Sequence, residues 1–408
     1  MSWRQDRLEG CRGFNGPYPS APLDERYSVV VLALVLVVHA TTPDMRWSSA
    51  LFKTVTEGLD GGESRPNREM TVTHPTVPRA GHTHPNERKG EPHVLEDVER
   101  WLSTRSWSVE DRPLKKLIAA KRATGSTVSV VLPALNEEET VGEIVAIIRR
   151  ELMTRKVPLV DEIVVIDSGS TDRTSEVAAD AGARVVHRDE ILPRLPAVPG
   201  KGEVLWRSLL VTSGDIVAFV DADLKEFSAD FVSGIVGPLL TDPGVDLVKA
   251  MYDRPLGSAA GQGGRVTELM ARPLLNMHWP QLAGFVQPLG GEYAARRSLL
   301  EQLPFPVGYG VELGMLVDAL HLVGLDALAQ VDVGVRKHRH QDGQALGRMS
   351  AAIYRTAQLR LARGHMIRPS LTQFERGENG FEPRTYSVDM EERPPMAEIE
   401  EYVERKAA

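Results

Sequence analysis

From Thr127 onward the apolar residues fall into short unbroken runs, each ending in a polar or glycine-rich cluster and each followed by a stretch of helical periodicity. Thr127 to Leu132 reads as a strand buried on both faces, and Glu162 to Ile166, the short Arg184 to His187 and Asp215 to Val220 read as further strands. The intervening segments, from about Glu138 to Arg150, up to Ala181, and from about Gly202 to Thr212, read as helices. Short connections between alternating strands and helices predict an α/β chain with a mostly parallel, Rossmann-like sheet flanked by helices, which binds its ligand at the carboxyl ends of the strands. Past residue 224 the rhythm loosens: a strand over Val245 to Met251, helices over Val266 to Leu275 and Leu313 to Leu322, and a strand from Leu328 that closes near Arg336. Before it, Val94, Val98, Trp101 and Leu102 recur at helical spacing and Asp111-Arg112-Pro113 opens a second helix, together a brace or a lid. The organisation expected is a low-complexity extension over 1–93, a helical brace over 94–126, a ligand-binding subdomain over 127–224, a smaller second half over 225–364, and a Pro- and Glu-rich tail over 365–408, anchored by little beyond Ile399 and Tyr402.

Composition changes this picture in three ways. A chain of 408 residues, 42% hydrophobic and 25% charged, can bury a sizeable core. Its net charge of -8 argues against non-specific nucleic-acid binding. The single cysteine, Cys11, excludes disulfide scaffolds and thiolate metal sites and fits a reducing cytoplasm. The apolar run Val29 to Val38 falls short of the roughly 20 residues that span a bilayer. It is a signal-peptide core, an interfacial segment, or the product of a start codon placed too far upstream; Asp6, Glu9, Asp24 and Glu25 disfavour the first. His74, His82, His84 and His93 lack any apolar periodicity around them and read as linker rather than as a metal cluster.

The candidate chemistry gathers where the strands end. Asp221 and Asp223 follow an apolar strand one residue apart, so in an extended chain both face one cation while Ala222 turns inward. Two hard oxygen donors suit Mg²⁺ or Mn²⁺. Asn136 with Glu137, and Asp167 with Ser168, follow the two preceding strand ends. Asp167 is placed to accept hydrogen bonds from a base or ribose, with turn chemistry and a helix cap as the open alternative. There is no GxGxxG after the first strand and no GxxxxGK[ST], so dinucleotide and P-loop chemistry lack their phosphate cradle. Pro199-Gly200-Lys201-Gly202-Glu203 offers amides and an ammonium to an anion at a helix start. Gly264, Arg265 and Thr267 form a second anion candidate, with a glycine hinge and surface Arg as its alternative. Glu312 either stabilises its helix start or grips sugar hydroxyls. Alternation puts Arg336, His338 and His340 on one side of their strand, where one His would complete a metal shell.

Val131-Leu132-Pro133-Ala134-Leu135-Asn136-Glu137-Glu138, Asp167-Ser168-Gly169-Ser170-Thr171-Asp172, Pro199 to Glu203, Gly264 to Glu268 and Gly308-Tyr309-Gly310-Val311-Glu312, in this order, resemble the GT-A glycosyltransferases, and among them the retaining glucosyl-3-phosphoglycerate synthases of actinobacteria. The resemblance covers roughly Val94 to Gly364. It implies a GT-A fold and a Mg²⁺- or Mn²⁺-dependent transfer of glucose from UDP-glucose to the 2-hydroxyl of 3-phospho-D-glycerate, with retention. By that resemblance Pro133, Ala134, Leu135, Glu137, Ser168 and Lys201 meet the UDP moiety. Asp167, Asp221, Ala222, Tyr309, Glu312 and Arg336 complete the donor side, Asp223 and His338 hold the metal, and Gly264, Arg265, Thr267 and His340 bind the acceptor. Asp221, Asp223, Glu312 and Lys201 are then the catalytic set. His340 departs from the Asn of some relatives. The implied protein is cytoplasmic and homodimeric, without nucleic acid or integral membrane association. Rival readings are a GDP-mannose-dependent mannosyl-3-phosphoglycerate synthase, a polyprenyl-phosphate sugar transferase and a non-catalytic nucleotide-sugar sensor.

Overall fold

The computed structural model describes residues 95–253, 264–336, 342–361, 370–377, 380–388 and 391–407. The expectations for 1–93, for His338 and for His340 lie outside these residues. In chain order the elements that build the site are α1 (Glu96–Arg105), β1 (Ser106–Ser108), α2 (Leu114–Thr124), β2 (Val128–Ala134), α3 (Val141–Leu152), β3 (Glu162–Asp167), α4 (Thr174–Asp180), β4 (Arg184–His187), α5 (Lys201–Val211), β5 (Ile216–Phe219), α6 (Asp230–Thr241) and β6 (Leu247–Asp253). A π-helical turn, Thr267–Ala271, runs into α7 (Arg272–His278), followed by β7 (Tyr293–Arg296), α8 (Arg297–Leu300), β8 (Phe305–Pro306), α9 (Val311–Val323), β9 (Leu328–Val335) and α10 (Gly343–Leu361). A hairpin of β10 (Ser370–Gly377) and β11 (Gly380–Ser387), then β12 (Glu392–Arg393) and α11 (Glu400–Ala407), complete the described chain.

Eight strands form one sheet in the order β1-β9-β6-β7-β5-β2-β3-β4, parallel throughout except for β7, which runs against both β5 and β6. Strand residues alternate between two cores, as a period of two requires. Val131, Val164, Ile166, Val217 and Phe219 enter the core under α5 and α9, whereas Val130, Leu132, Ile163, Val165, Ile216 and Ala218 enter the one under α3 and α6. Both faces are thus covered, so the runs carry no polar alternation. Burying each such Val, Ile or Leu contributes about 1.5–3 kcal/mol.

Registration matters more for the site than the cores do. Ala134 pairs with Asp167 and Asp167 with His187, so β2, β3 and β4 end level with one another. Loops leaving those ends must therefore meet.

Three features depart from the sequence pattern. α3 starts at Val141, later than expected, because Asn136 sits at φ 58° and its side chain accepts from the Thr171 amide at 2.8 Å, making 135–140 a turn. The brace is more than helical: β1 joins the sheet edge beside β9, and Trp101 donates to the Leu328 carbonyl at 2.7 Å, which excludes a lid role for α1. The tail is also better anchored than Ile399 and Tyr402 suggest. β12 pairs with β8, Met396 is fully buried, and Arg393 reaches Glu203 at 2.7 Å.

Candidate functional site

The site is assembled from the start of α5. Gly200, at φ 145°, and Gly202 lie so close to the Pro306 and Val307 carbonyls that a Cβ on either would collide with backbone. Only glycines permit this approach, and it presses the α5 N-terminus onto the loop that leads into α9. Glu203, wholly buried, fixes the first turn from below through Arg207 at 2.7 Å and Arg393 at 2.7 Å. Lys201 consequently points between two carboxylates, Asp221 at 2.5 Å and Glu312 at 2.9 Å. Burial alone would lower the Lys201 ammonium, but the Asp221 and Glu312 charges override it and hold it well above the ordinary lysine value.

Asp221 follows β5, and Ala222, which is buried, and Asp223 lie in the turn that comes next. A turn rather than a fully extended strand thus carries the pair. Thr140 donates to the Ala222 carbonyl at 2.5 Å and pins the turn to the head of α3. Both carboxylates do face one cation, Arg336, at 2.8 and 3.4 Å. Arg336 is itself buried and bonded to Glu292 at 2.9 Å, which also accepts from the Tyr252 hydroxyl at 2.7 Å. Burial works against the charge on Arg336, and Glu292 with its neighbours restores it, so the guanidinium stays ionised. Asp223 is held above the usual carboxylate range by burial and by the neighbouring Asp221 charge. That strain on a partly exposed carboxylate is what a divalent cation would relieve, so the donor set fits Mg²⁺ or Mn²⁺. Among the described residues no three His, Cys, Asp or Glu side chains form a metal cage.

A cavity of about 840 Å³ lies over this cluster, a size suited to a sizeable small-molecule ligand. Pro133, Ala134, Leu135, Glu137, Ser168, Lys201, Asp221, Ala222, Asp223, Tyr309, Glu312 and Arg336 all line it, and so do Gly264, Arg265 and Thr267. Gly264 takes φ 75° and Thr267 is buried where the π-helical turn begins, an irregularity often found at functional sites.

Asp167 is the exception. Its oxygens accept from the Ser170 amide and hydroxyl at 3.0 and 2.5 Å and from Ser175 at 2.8 Å, with His187 at 3.2 Å, and it is buried off the cavity wall. These contacts are those of the turn-and-cap reading. His338 and His340 lie outside the described residues.

Sequence reasoning missed Arg188, which lines the cavity just past β4, and a wall of Leu346, Met349, Ala352 and Ile353 from α10. It also missed Lys249, buried on β6, for which a lone lysine inside the apolar run Val245 to Met251 was the available signal.

Residues 129–256 match the model of the family described as Glycosyl transferase family 2. The chain is 51% identical over 307 residues to the glucosyl-3-phosphoglycerate synthase of Mycolicibacterium smegmatis, covering 74% of this chain and 98% of that one. With the same-named protein of Mycolicibacterium paratuberculosis it shares 49% identity, over 73% and 92% of the two chains. Among solved structures, the Mycobacterium tuberculosis glucosyl-3-phosphoglycerate synthase in complex with Mn²⁺, UDP-glucose and phosphoglyceric acid superposes with a TM-score of 0.63 at 48% identity, over 70% of this chain and 94% of that one. The mannosyl-3-phosphoglycerate synthase of Rubrobacter xylanophilus gives 0.69 at 41% identity, over 74% and 97%.

Proposed function

The chain belongs to the glucosyl-3-phosphoglycerate synthases, and from that premise we propose how its own residues carry out the transfer. It is a hexosyltransferase of GT-A fold that moves glucose from UDP-glucose to 3-phosphoglycerate with Mg²⁺ or Mn²⁺. The observation that carries the residue assignments is the Lys201 ammonium bridged between Asp221 and Glu312 on the floor of one cavity.

Pro133, Ala134, Leu135, Glu137 and Ser168, at the level ends of β2 and β3, hold the uridine end, and Glu312 and Tyr309 hold the glucose. A divalent ion resting on Asp221 and Asp223 supplies charge compensation at the diphosphate; small hard cations typically take one or two carboxylates and complete their shell from phosphate and water. His338 is a further ligand in this reading. Lys201 and Arg336, both fixed cations, offset the negative charge that grows on the departing UDP. Glu312 is bonded to Lys201 rather than poised as a nucleophile, which supports front-face attack with retention by the 2-hydroxyl of 3-phospho-D-glycerate, the leaving phosphate oxygen taking its proton. Gly264, Arg265, Thr267 and His340 bind the acceptor. The enzyme works in the cytoplasm as a homodimer; among the described residues no helix is long and apolar enough to cross a membrane.

The Rubrobacter structure favours one second reading, mannosyl transfer from GDP-mannose. A matrix of donors against acceptors with purified protein separates the two. Product from UDP-glucose and 3-phosphoglycerate, lost in chelator, is expected; turnover confined to GDP-mannose would replace the proposal, and no turnover with any pair would leave a nucleotide-sugar sensor.

A further inference from the structure

Beneath the cluster of Lys201, Asp221 and Arg336 lies a short turn, Gly290 to Glu292, each of whose residues has a separate task. The Gly291 Cα is packed directly under Asp221 and Lys201, and a Cβ there would overlap both side chains. Glu292 carries Arg336 through its carboxylate at 2.9 Å, and its own carbonyl accepts from the Ala250 amide at 2.9 Å. The Gly290 carbonyl points down into the protein and accepts a hydrogen bond from the Lys249 ammonium.

Lys249 is 2% exposed, and its Nζ stands 4.8 Å from the centre of the Tyr293 ring. Nothing in the overall architecture calls for a cation there. An aliphatic residue would pack on β6 without the cost of desolvating a charge, as Leu247 on the same face does.

We propose that Lys249 is a positioning residue for the transfer, holding the Gly290–Glu292 turn so that Asp221, Lys201 and Arg336 stand at the spacing that receives the diphosphate and its cation. The chain of support is short and continuous: the Lys249 ammonium to the Gly290 carbonyl, Gly291 under Asp221 and Lys201, Glu292 to Arg336, and Arg336 back to Asp221 and Asp223. Burial pushes the Lys249 ammonium down to about 8, which accords with a group kept there for its hydrogen bond rather than for an ion pair. The groups whose charges reach it are Glu312 from α9, Lys201 from α5, Glu292 from the turn and Asp221 beyond β5. Three carboxylates and one cation act on it together, so no single partner accounts for it.

The inference rests on the reading of the cavity as a UDP-glucose site, and the two fail separately. Wild-type protein is titrated with UDP in Mn²⁺ by calorimetry, and Lys249→Met and Lys249→Arg are titrated alongside, with thermal unfolding of all three. Lys249→Met, similar in length and lacking the donor, is expected to lose at least tenfold in UDP affinity and in kcat while the acceptor KM stays within about twofold and the fold remains cooperative. Lys249→Arg, which keeps a charged donor, is expected to recover part of both. If wild type does not bind UDP, the donor reading falls. If wild type binds and Lys249→Met binds equally well, or if Lys249→Met loses donor and acceptor affinity alike with no recovery in Lys249→Arg, the positioning role falls.

Discussion

On one side of the cavity the polar groups come from β2, β3 and β5, neighbouring strands whose ends are held level by a continuous hydrogen-bonded ladder; on the other, Gly264, Arg265 and Thr267 occupy the first turn of a single irregular helix. The first side is over-determined. Arg336 alone joins three carboxylates, and Lys201 joins two. The second begins at a residue at φ 75° and is seated by buried Val266 and Thr267 and by the Glu268–Arg272 pair, with Arg265 exposed and Leu269 standing 80% out of the surface. A rigid side can hold a ligand whose charge changes during reaction, since preorganised groups need no rearrangement at that moment. An irregular helix start with an exposed arginine suits recognition of an acceptor that must enter and, once glycosylated, leave.

The sharpest break of this contrast is Asp223→Ala. If the strand-end side carries the chemistry, turnover with UDP-glucose should fall by roughly 10²–10³-fold, the range seen when one preorganised electrostatic group is deleted. Asp221→Ala should lose comparable turnover yet keep measurable UDP binding, because Arg336 and Lys201 remain. Near wild-type product formation by Asp223→Ala in metal-free buffer would remove the metal role from this turn.

Arg336→Met asks whether that side is rigid because of its buried charges. Glu292 would be left buried without its cation, and breaking a buried pair by removing one partner costs about 3–5 kcal/mol. Denaturant unfolding should register that loss, and Glu292→Gln in the same background should return part of it. An Arg336→Met variant as stable as wild type would mean that the cluster is solvated and that its charges act independently.

Arg265→Ala probes the other side. Its fork can make two charge-assisted hydrogen bonds worth about 1.5–3 kcal/mol each, so the acceptor KM should rise at least tenfold. Arg265→Lys should restore only part, a point charge being a poor copy of the fork. UDP-glucose affinity measured without acceptor should hardly move in either variant. Loss of donor binding with an unchanged acceptor KM would transfer Arg265 to the opposite side.

The same contrast explains which parts of the molecule were readable in the sequence. Strands buried on both faces announce themselves as apolar runs, so β2, β3 and β5 and the residues at their ends were legible, Asp221 and Asp223 included. Asp167 was legible as a strand-end acid but its partners Ser170 and Ser175 were not, since a sequence does not show which neighbours a carboxylate will find first. β1 escaped because Ser106-Trp107-Ser108 is too short to show a period, and its pairing partner β9 lies more than two hundred residues away. The wall from α10 escaped because Leu346, Met349 and Ile353 follow ordinary helical spacing, indistinguishable from a core face until the fold turns it toward a cavity. Lys249 stood in plain sight within an apolar strand, but only the position of the Gly290 carbonyl gives it a purpose.

The smallest expected effect is on stability and bears on whether Lys249 carries its charge while buried. The ammonium titrates at about 8 in the folded protein against an ordinary 10.5. Between those values the unfolded chain holds one proton more than the native state, so raising the pH through this window favours folding; below it the buried charge weighs fully against the fold, and above it the contribution no longer changes. The neighbours do not blur this, since Lys201 and the Tyr293 hydroxyl are both held well above their ordinary values. Lys249→Met lacks the titrating group. The unfolding free energy of wild type minus that of Lys249→Met should therefore climb as the pH rises from about 8 toward 10.5, by at most about 1.4 kcal/mol per unit. Groups that titrate identically in both proteins cancel in the difference, which leaves the lysine alone. A difference that stays flat from pH 7 to 10 would mean that the Lys249 ammonium is solvated, and that the turn beneath Asp221 and Lys201 is not held by a buried cation.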